Sequence, residues 1–289
     1  MKKKLTIISI FIFIILLFIN YNVVLESTIT ATQIWLYKVF PYLFIMIIIQ
    51  DILIKLNVSS YFSNISFYIF LMSLLSGTPT SVYIIGNLIK NKIIDKSYGN
   101  LCLLFSFFAN PLFLYTILNN IFNSKAQAIT LIIIHYLSNF IIYLYVKNSL
   151  HTNNKANFPA NINLATSIKN SLNTNLMVLG TITFYFVISN ILIKTINMPH
   201  IMTIIFRGFL EMTQGLASLI NLSFSFKDYI AILFLSFGGL SIHTQAKCIA
   251  SEYGLDYKFF LKGRLWQIII AIFLTTIAKT IKIIFIKIF

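Results

Sequence analysis

The 289-residue sequence predicts an all-α membrane protein, a polytopic helical bundle with two inverted-topology halves that contain broken or re-entrant helices. Three observations predict it. The chain is 58% hydrophobic and 10% charged, with a mean hydropathy of +0.87, which excludes an ordinary soluble domain. Apolar stretches of about 20 residues, enough to cross a hydrocarbon core of about 30 Å, follow one another with short gaps. Four of them are interrupted by glycine, proline, amide or hydroxyl residues, and such backbone is tolerated at membrane depth only where protein buries it or where it lines a cavity.

The elements follow in order. Met1-Lys2-Lys3-Lys4 and the apolar run from Leu5 to Ile19 have the basic start and apolar core of a signal peptide. An uncleaved first span is the preferred reading, because no small-x-small cleavage site follows and Val23-Val24-Leu25 lengthens the run. Residues 1–33 make this leading span and its loop. Apolar segments come next at about 34–55, 61–89, 98–119 and 126–147, a first half covering 34–147. Residues 148–167 are the longest hydrophilic run and read as a linker. The order then repeats at about 170–193, 199–225, 229–250 and 264–287, a second half covering 168–289. In each half the second and third segments carry the breaks: Ser76-Gly77-Thr78-Pro79 and Asn110-Pro111, then Gly208 to Gly215 and Gly238-Gly239.

Lysine placement sets the orientation. With a cytoplasmic amino terminus, and with the second segment of each half returning to its own side, Lys2 to Lys4, Lys55, Lys90, Lys92, Lys96, Lys147, Lys155, Lys169, Lys247, Lys258, Lys262 and Arg264 fall inside. Few face the other way: Lys38, Lys125, Lys194 and Lys227, with Lys279, Lys282 and Lys287 as exceptions near the carboxyl end. This obeys the positive-inside rule and makes the halves inverted. Inverted repeats with paired broken helices favour alternating access around a midplane site. The net charge of +15 therefore reads as topology and headgroup contact, and a nucleic-acid partner is excluded. Cys102 and Cys248 have no CxxC or Cys/His partner, so no disulfide framework, metal or cofactor is predicted.

The order of motifs resembles the YlbJ-like sporulation integral membrane proteins, of the Gate or nucleoside-recognition group related to concentrative nucleoside transporters. Val39-Phe40-Pro41-Tyr42-Leu43-Phe44, Ser76-Gly77-Thr78-Pro79, Asn110-Pro111-Leu112-Phe113 and His135-Tyr136-Leu137-Ser138 carry it, followed by the more specific Gly208-Phe209-Leu210-Glu211-Met212-Thr213-Gln214-Gly215 and Phe237-Gly238-Gly239-Leu240-Ser241-Ile242-His243-Thr244-Gln245. Thr78 stands where the family has tyrosine and Ser81 where it has glycine. The resemblance implies a mother-cell protein of endospore formers, placed in the outer forespore membrane, that moves dipicolinic acid towards the forespore.

A dicarboxylate needs donors, and broken helices offer them through unpaired N–H groups at a helix start. On this reading Ser76, Gly77, Thr78, Asn110, Arg207, Gln214, Gly238, Gly239, Ser241, His243 and Gln245 bind the solute. The same glycines also serve close helix packing. Glu211 is the membrane-embedded glutamate, and intramembrane carboxylates are costly enough to be functional. Either Glu211 couples a proton or cation while Arg207, four residues earlier, faces the anion, or the two form a salt bridge on one helical face. His243 either serves the site or is a satisfied interhelical histidine, whereas His135 is read as packing or hydrogen bonding between helices. Asp51 and Gln50 are assigned to solvation near a span end. The alternatives are a nucleoside or nucleobase carrier, or a sporulation assembly or signalling protein that transports nothing. The partners expected are a small anionic solute, the bilayer and a coupling proton or cation; the oligomeric state stays open.

Overall fold

A computed structural model describes residues 2–150, 163–220 and 222–288, with side chains as far as Ile281. The chain is 84% helical, and the described residues contain no strand. Among them, five helical runs are long and apolar enough to cross a membrane: Tyr21–Lys55, Lys125–Ser149, Leu164–Ile196, Lys227–Glu252 and Tyr257–Ile281. An all-α polytopic membrane protein is the result. Of the predicted linker, residues 151–162 lie outside the described residues.

Helix α1 (Lys2–Ile19) ends at Asn20, and α2 (Tyr21–Ile34) follows at once. The sequence reading joined Val23 to the first span, but α2 instead runs through a π-helical turn, Trp35–Val39, into α3 (Phe40–Lys55). The result is one 35-residue rod in place of a segment starting near 34. Helices α4 (Ile65–Ser76) and α5 (Thr80–Lys90) form the first interrupted segment, with Gly77, Thr78 and Pro79 between them and the Thr78-Pro79 peptide cis. Helix α6 (Lys96–Cys102) then gives way to a non-helical stretch before α7 (Pro111–Phe122) and α8 (Lys125–Val146). In the second half α9 (Leu164–Ile196) precedes α10 (His200–Leu210) and α11 (Met212–Ala217), then α12 (Lys227–Phe237), α13 (Gly239–Glu252) and α14 (Tyr257–Ile288).

Local chemistry sets these boundaries. Asn64, Asp95, Ser124 and Asn163 accept first-turn N–H bonds at the starts of α4, α6, α8 and α9, which satisfies donors a helix cannot pair itself. Asn123 and Asn197, at φ 51° and 50°, close α7 and α9 in the left-handed conformation that asparagine tolerates.

Contacts fix which ends meet. Helix α9 runs antiparallel to the Tyr21–Lys55 rod: Lys55 Nζ donates to Ser167 Oγ (3.1 Å), Ser171 Oγ to the Phe44 carbonyl (2.7 Å) and Asn190 Nδ2 to Ser27 Oγ (2.8 Å). Helix α4 starts near the Lys55 end and climbs until the Leu75 carbonyl accepts from Tyr42 Oη, whereas α5 descends again, its Tyr83 hydroxyl reaching Asp51 (3.4 Å). Twelve residues of helix span about 18 Å, too short to cross, so α4 and α5 make a hairpin that returns to the lysine-rich end. Helices α10 and α11 fold back likewise: a Cβ on Gly215 would stand 2.1 Å from Gly208 Cα. That hairpin starts where α9 ends, at the end away from Lys55. At the same far end Lys227 Nζ donates to the Ile121 carbonyl (2.6 Å) and Lys279 pairs with Asp228 (2.5 Å), tying α12 to α7 and α14.

Candidate functional site

All four interruptions meet in the interior. Thr78 N donates to the Phe108 carbonyl (2.8 Å), joining the first hairpin tip to the stretch before Asn110. Gly77, at φ 75°, can lie against that stretch because it has no side chain; a Cβ there would sit 3.1 Å from the Phe108 carbonyl oxygen. On the other side Gly239, at φ 73°, abuts the second tip, where a Cβ would be 2.8 Å from the Met212 amide nitrogen. Between the tips lies a cavity of about 90 Å3, in a measure by which one water needs about 10–15 Å3, so it holds several waters or a small solute.

Its polar lining is Lys38, Tyr42, Ser76, Thr78, Asn110, Glu211, Thr213 and Gln245, set among Val39, Phe108, Phe113, Val178 and Ile182. Asn110 Oδ1 caps α7, accepting from Leu112 N (2.8 Å) and Phe113 N (3.3 Å), and its amide Nδ2 makes no described bond. Helix α5 opens onto the cavity through Pro79 with no side-chain cap. Glu211, 2% exposed, accepts from Gln214 N (2.8 Å) and from the Thr213 hydroxyl, closing the start of α11. Gln245 Nε2 donates to Thr181 Oγ1 (2.9 Å) and Ser241 Oγ (3.3 Å).

Five residues singled out from the sequence therefore share the cavity wall: Ser76, Thr78, Asn110, Glu211 and Gln245. The others do not line it. Gly77, Gly238 and Gly239 form the backbone joints around it, with Gly238 packed on the Phe107 ring. Ser241 stands behind Gln245, and Gln214 turns to Asn190, donating from Nε2 (2.8 Å). His243 is satisfied away from the cavity. Its Nε2 donates to the Phe237 carbonyl (3.0 Å), so Nδ1 accepts from the Tyr257 hydroxyl (2.5 Å). Arg207 does not pair with Glu211. Its Nη1 donates to Ser218 Oγ (3.3 Å), because the break at Glu211 carries the carboxylate off the α10 face. Asp51, read as solvated, is buried and paired with Lys55 (2.7 Å) and Ser167.

Two features escaped the sequence reading. Lys38 is the lysine in the cavity wall, on the π-helical turn, a local widening of the helix that is frequent at functional sites. Its signal was a charge inside the apolar run Trp35-Leu36-Tyr37-Lys38-Val39-Phe40 beside Pro41. Arg264, assigned to the cytoplasmic face, is instead fully buried. It belongs to a frame around the non-helical stretch 103–110: Arg264 Nη2 donates to the Leu104 carbonyl (3.3 Å), Asn139 Nδ2 to the Phe107 carbonyl and Tyr136 Oη to the Ala109 carbonyl (3.2 Å), while His135 Nε2 accepts from Ala109 N (3.2 Å). Side chains of α8 and α14 thus supply what a helix would have supplied, the condition for broken backbone inside a membrane. The hydrogen-bonding role read for His135 is what the geometry gives.

The chain is similar to the sporulation integral membrane protein YlbJ of Bacillus subtilis strain 168, 23% identical over a gapped alignment of 303 positions that takes in 84% of this chain and 74% of that protein. The similarity supports a YlbJ-like family. That relative's name and the apolar helices agree on an integral membrane protein. No family model matches the chain, and no solved structure matches it.

Proposed function

We propose that the protein is a sporulation membrane transporter that moves dipicolinate or a similar small anion by alternating access, in the outer forespore membrane of an endospore former. The observation that carries the reading is the central cavity at the meeting of four broken segments, the arrangement expected of a transporter binding site. Sporulation enters through the relative's name. The cavity suits a flat aromatic acid: Phe108, Phe113, Val178 and Ile182 offer apolar faces, and Lys38, Thr78 and the Asn110 amide offer positive charge and donors. Glu211 would repel a dianion unless it is protonated or bound to a cation, which makes it the coupling group.

Purified protein in liposomes should accumulate labelled dipicolinate under a proton or cation gradient. Absence of dipicolinate flux in protein that remains folded would refute the assignment. Neutral amides, Asn110 and Gln245, beside the Phe108 and Phe113 rings also fit a nucleobase. Competition decides: uridine or adenine displacing dipicolinate, or being carried in its place, points to a nucleoside carrier, and no flux of either points to an assembly or signalling role.

The reading includes two inverted halves, 34–147 and 168–289. Hairpins that start from opposite ends support it. In a background without Cys102 and Cys248, cysteine at Ser97 should react from the cytoplasm and cysteine at Ser124 from the opposite face. Reaction of both from one face contradicts inversion.

A further inference from the structure

A second cavity, about 520 Å3, lies between α5, α9 and α13 on the lysine-rich side of the central one. Helices α9 and α13 line both, and α5 lines the second while its N-cap, Pro79, lines the first. Along α9, Thr174 and Met177 face the second cavity and Val178 and Ile182 the first; along α13, Cys248 and Glu252 face the second and Ile242 and Gln245 the first. Its wall is polar: Tyr83, Asn87, Lys90, Asn170 and Tyr253. Most of these groups are engaged, since Asn170 Nδ2 donates to Tyr83 Oη (3.2 Å) and Tyr253 Oη to Asn87 Oδ1 (3.4 Å). Asn87 Nδ2 is not. It is buried on a residue 7% exposed, with only the neighbouring Tyr83 hydroxyl near it and no hydrogen bond of normal length, and an under-satisfied donor in such a place is costly. A ligand acceptor would satisfy it.

The two linings adjoin at Met177 and Val178 on α9 and at Gln245 and Cys248 on α13. Gln245 Nε2 donates to Thr181 Oγ1 (2.9 Å), a tie from α13 to α9 beside that junction. Beyond the junction the path is open at each end. The second cavity shares Lys90, Glu252 and Tyr253 with a groove at the surface, and the central cavity shares Lys38, Tyr42, Asn110 and Phe113 with a groove towards the other end.

We infer that the second cavity is a cytoplasmic-side solute station, holding an acceptor-rich small solute against Asn87 and Lys90, and that the Thr181–Gln245 tie is the gate between it and the central site. The inference rests on the transport reading, because a gate needs a solute to pass. It follows that the described state is shut at this tie and open at the far end.

Native Cys248 lines the station and is exposed, whereas Cys102 is buried, so the chain carries its own reporter. A charged, membrane-impermeant methanethiosulfonate should modify Cys248 from the cytoplasmic face only, and Cys248→Ser should abolish the signal. Dipicolinate or uridine, whichever is bound, should slow modification by a factor of 1 + [L]/Kd, about tenfold at nine times Kd. Asn87→Leu should remove that protection while leaving modification intact. Thr181→Val should let the reagent reach Cys248 from the opposite face. An unreactive Cys248 in folded protein, or one that neither solute protects, overturns the station. Thr181→Val protein that stays closed overturns the gate. Flux failing while Cys248 is labelled and protected sinks the transport reading and leaves a binding site; flux proceeding with Cys248 inert does the reverse.

Discussion

Arg264→Ala is expected to melt far below wild type, a large loss of stability for a single substitution. Arg264 is 0% exposed and forms no ion pair among the described residues. Its guanidinium lies 4.2 Å from the Phe107 ring centre and donates to the Leu104 carbonyl (3.3 Å), Asn139 Oδ1 (3.4 Å) and Gln267. Asn139 and Gln267 can turn to other partners, but the Leu104 carbonyl cannot. Three membrane hydrogen bonds at about 0.6 kcal/mol each, with a desolvated cation–ring contact of about 2 kcal/mol, put the loss near about 4 kcal/mol. That is a large share of a typical stability of about 5–15 kcal/mol. Arg264→Lys should fall between wild type and alanine, because an ammonium keeps the charge but cannot bridge three acceptors. Arg264→Met should lose less than alanine, since it fills the space and removes a charge that costs free energy to bury. Melting temperatures of the detergent-purified variants would check the order, and Arg264→Ala melting with wild type would show that the 103–110 stretch needs no such frame.

The same residue shows where the sequence stops being legible. The class of fold and the four breaks could be read from composition and from glycine, proline and amide interruptions, because lipid penalises an open backbone wherever it lies. Ser76, Thr78, Asn110, Glu211 and Gln245 were found for that reason: each is polar and sits on or beside a break. Arg264 was misplaced because positive-inside reasoning sees a basic residue near a span end as solvated, and only the packing of α14 on the 103–110 stretch reveals otherwise. Lys38 lies near the face assigned to it, but its place in the cavity wall was missed. Nothing in the local pattern tells that the π-helical turn aims its face at the hairpin tips. Arg207 and Glu211 have the i,i+4 spacing of a helical ion pair, but α10 ends at Leu210, and the spacing rule applies only within a continuous helix. His243 shows the same limit, because its partners Phe237 and Tyr257 come from across a break and from another helix.

Glu211→Gln should fold nearly as well as wild type and yet lose gradient-driven transport. The carboxylate caps α11, and replacing a good cap costs about 0.5–2 kcal/mol, towards the low end where glutamine still offers an oxygen to Gln214 N. No lost salt bridge adds to this, since Arg207 is held by Ser218. What the substitution removes is titration inside the cavity wall. Proton-driven accumulation should therefore stop, while exchange of labelled for unlabelled solute across the membrane persists, because exchange needs the site and the moving tips but no net proton transfer. Glu211→Asp, which keeps both a capping oxygen and an acid, should recover part of the driven flux. Adding Arg207→Met to Glu211→Gln separates the two roles. With Arg207 and Glu211 unpaired, the second change should neither rescue protein level nor restore flux. Rescue of a poorly folded Glu211→Gln by Arg207→Met would reveal a hidden ion pair and remove the coupling argument, and a double mutant that accumulates solute at the wild-type rate would leave neither residue a part in transport.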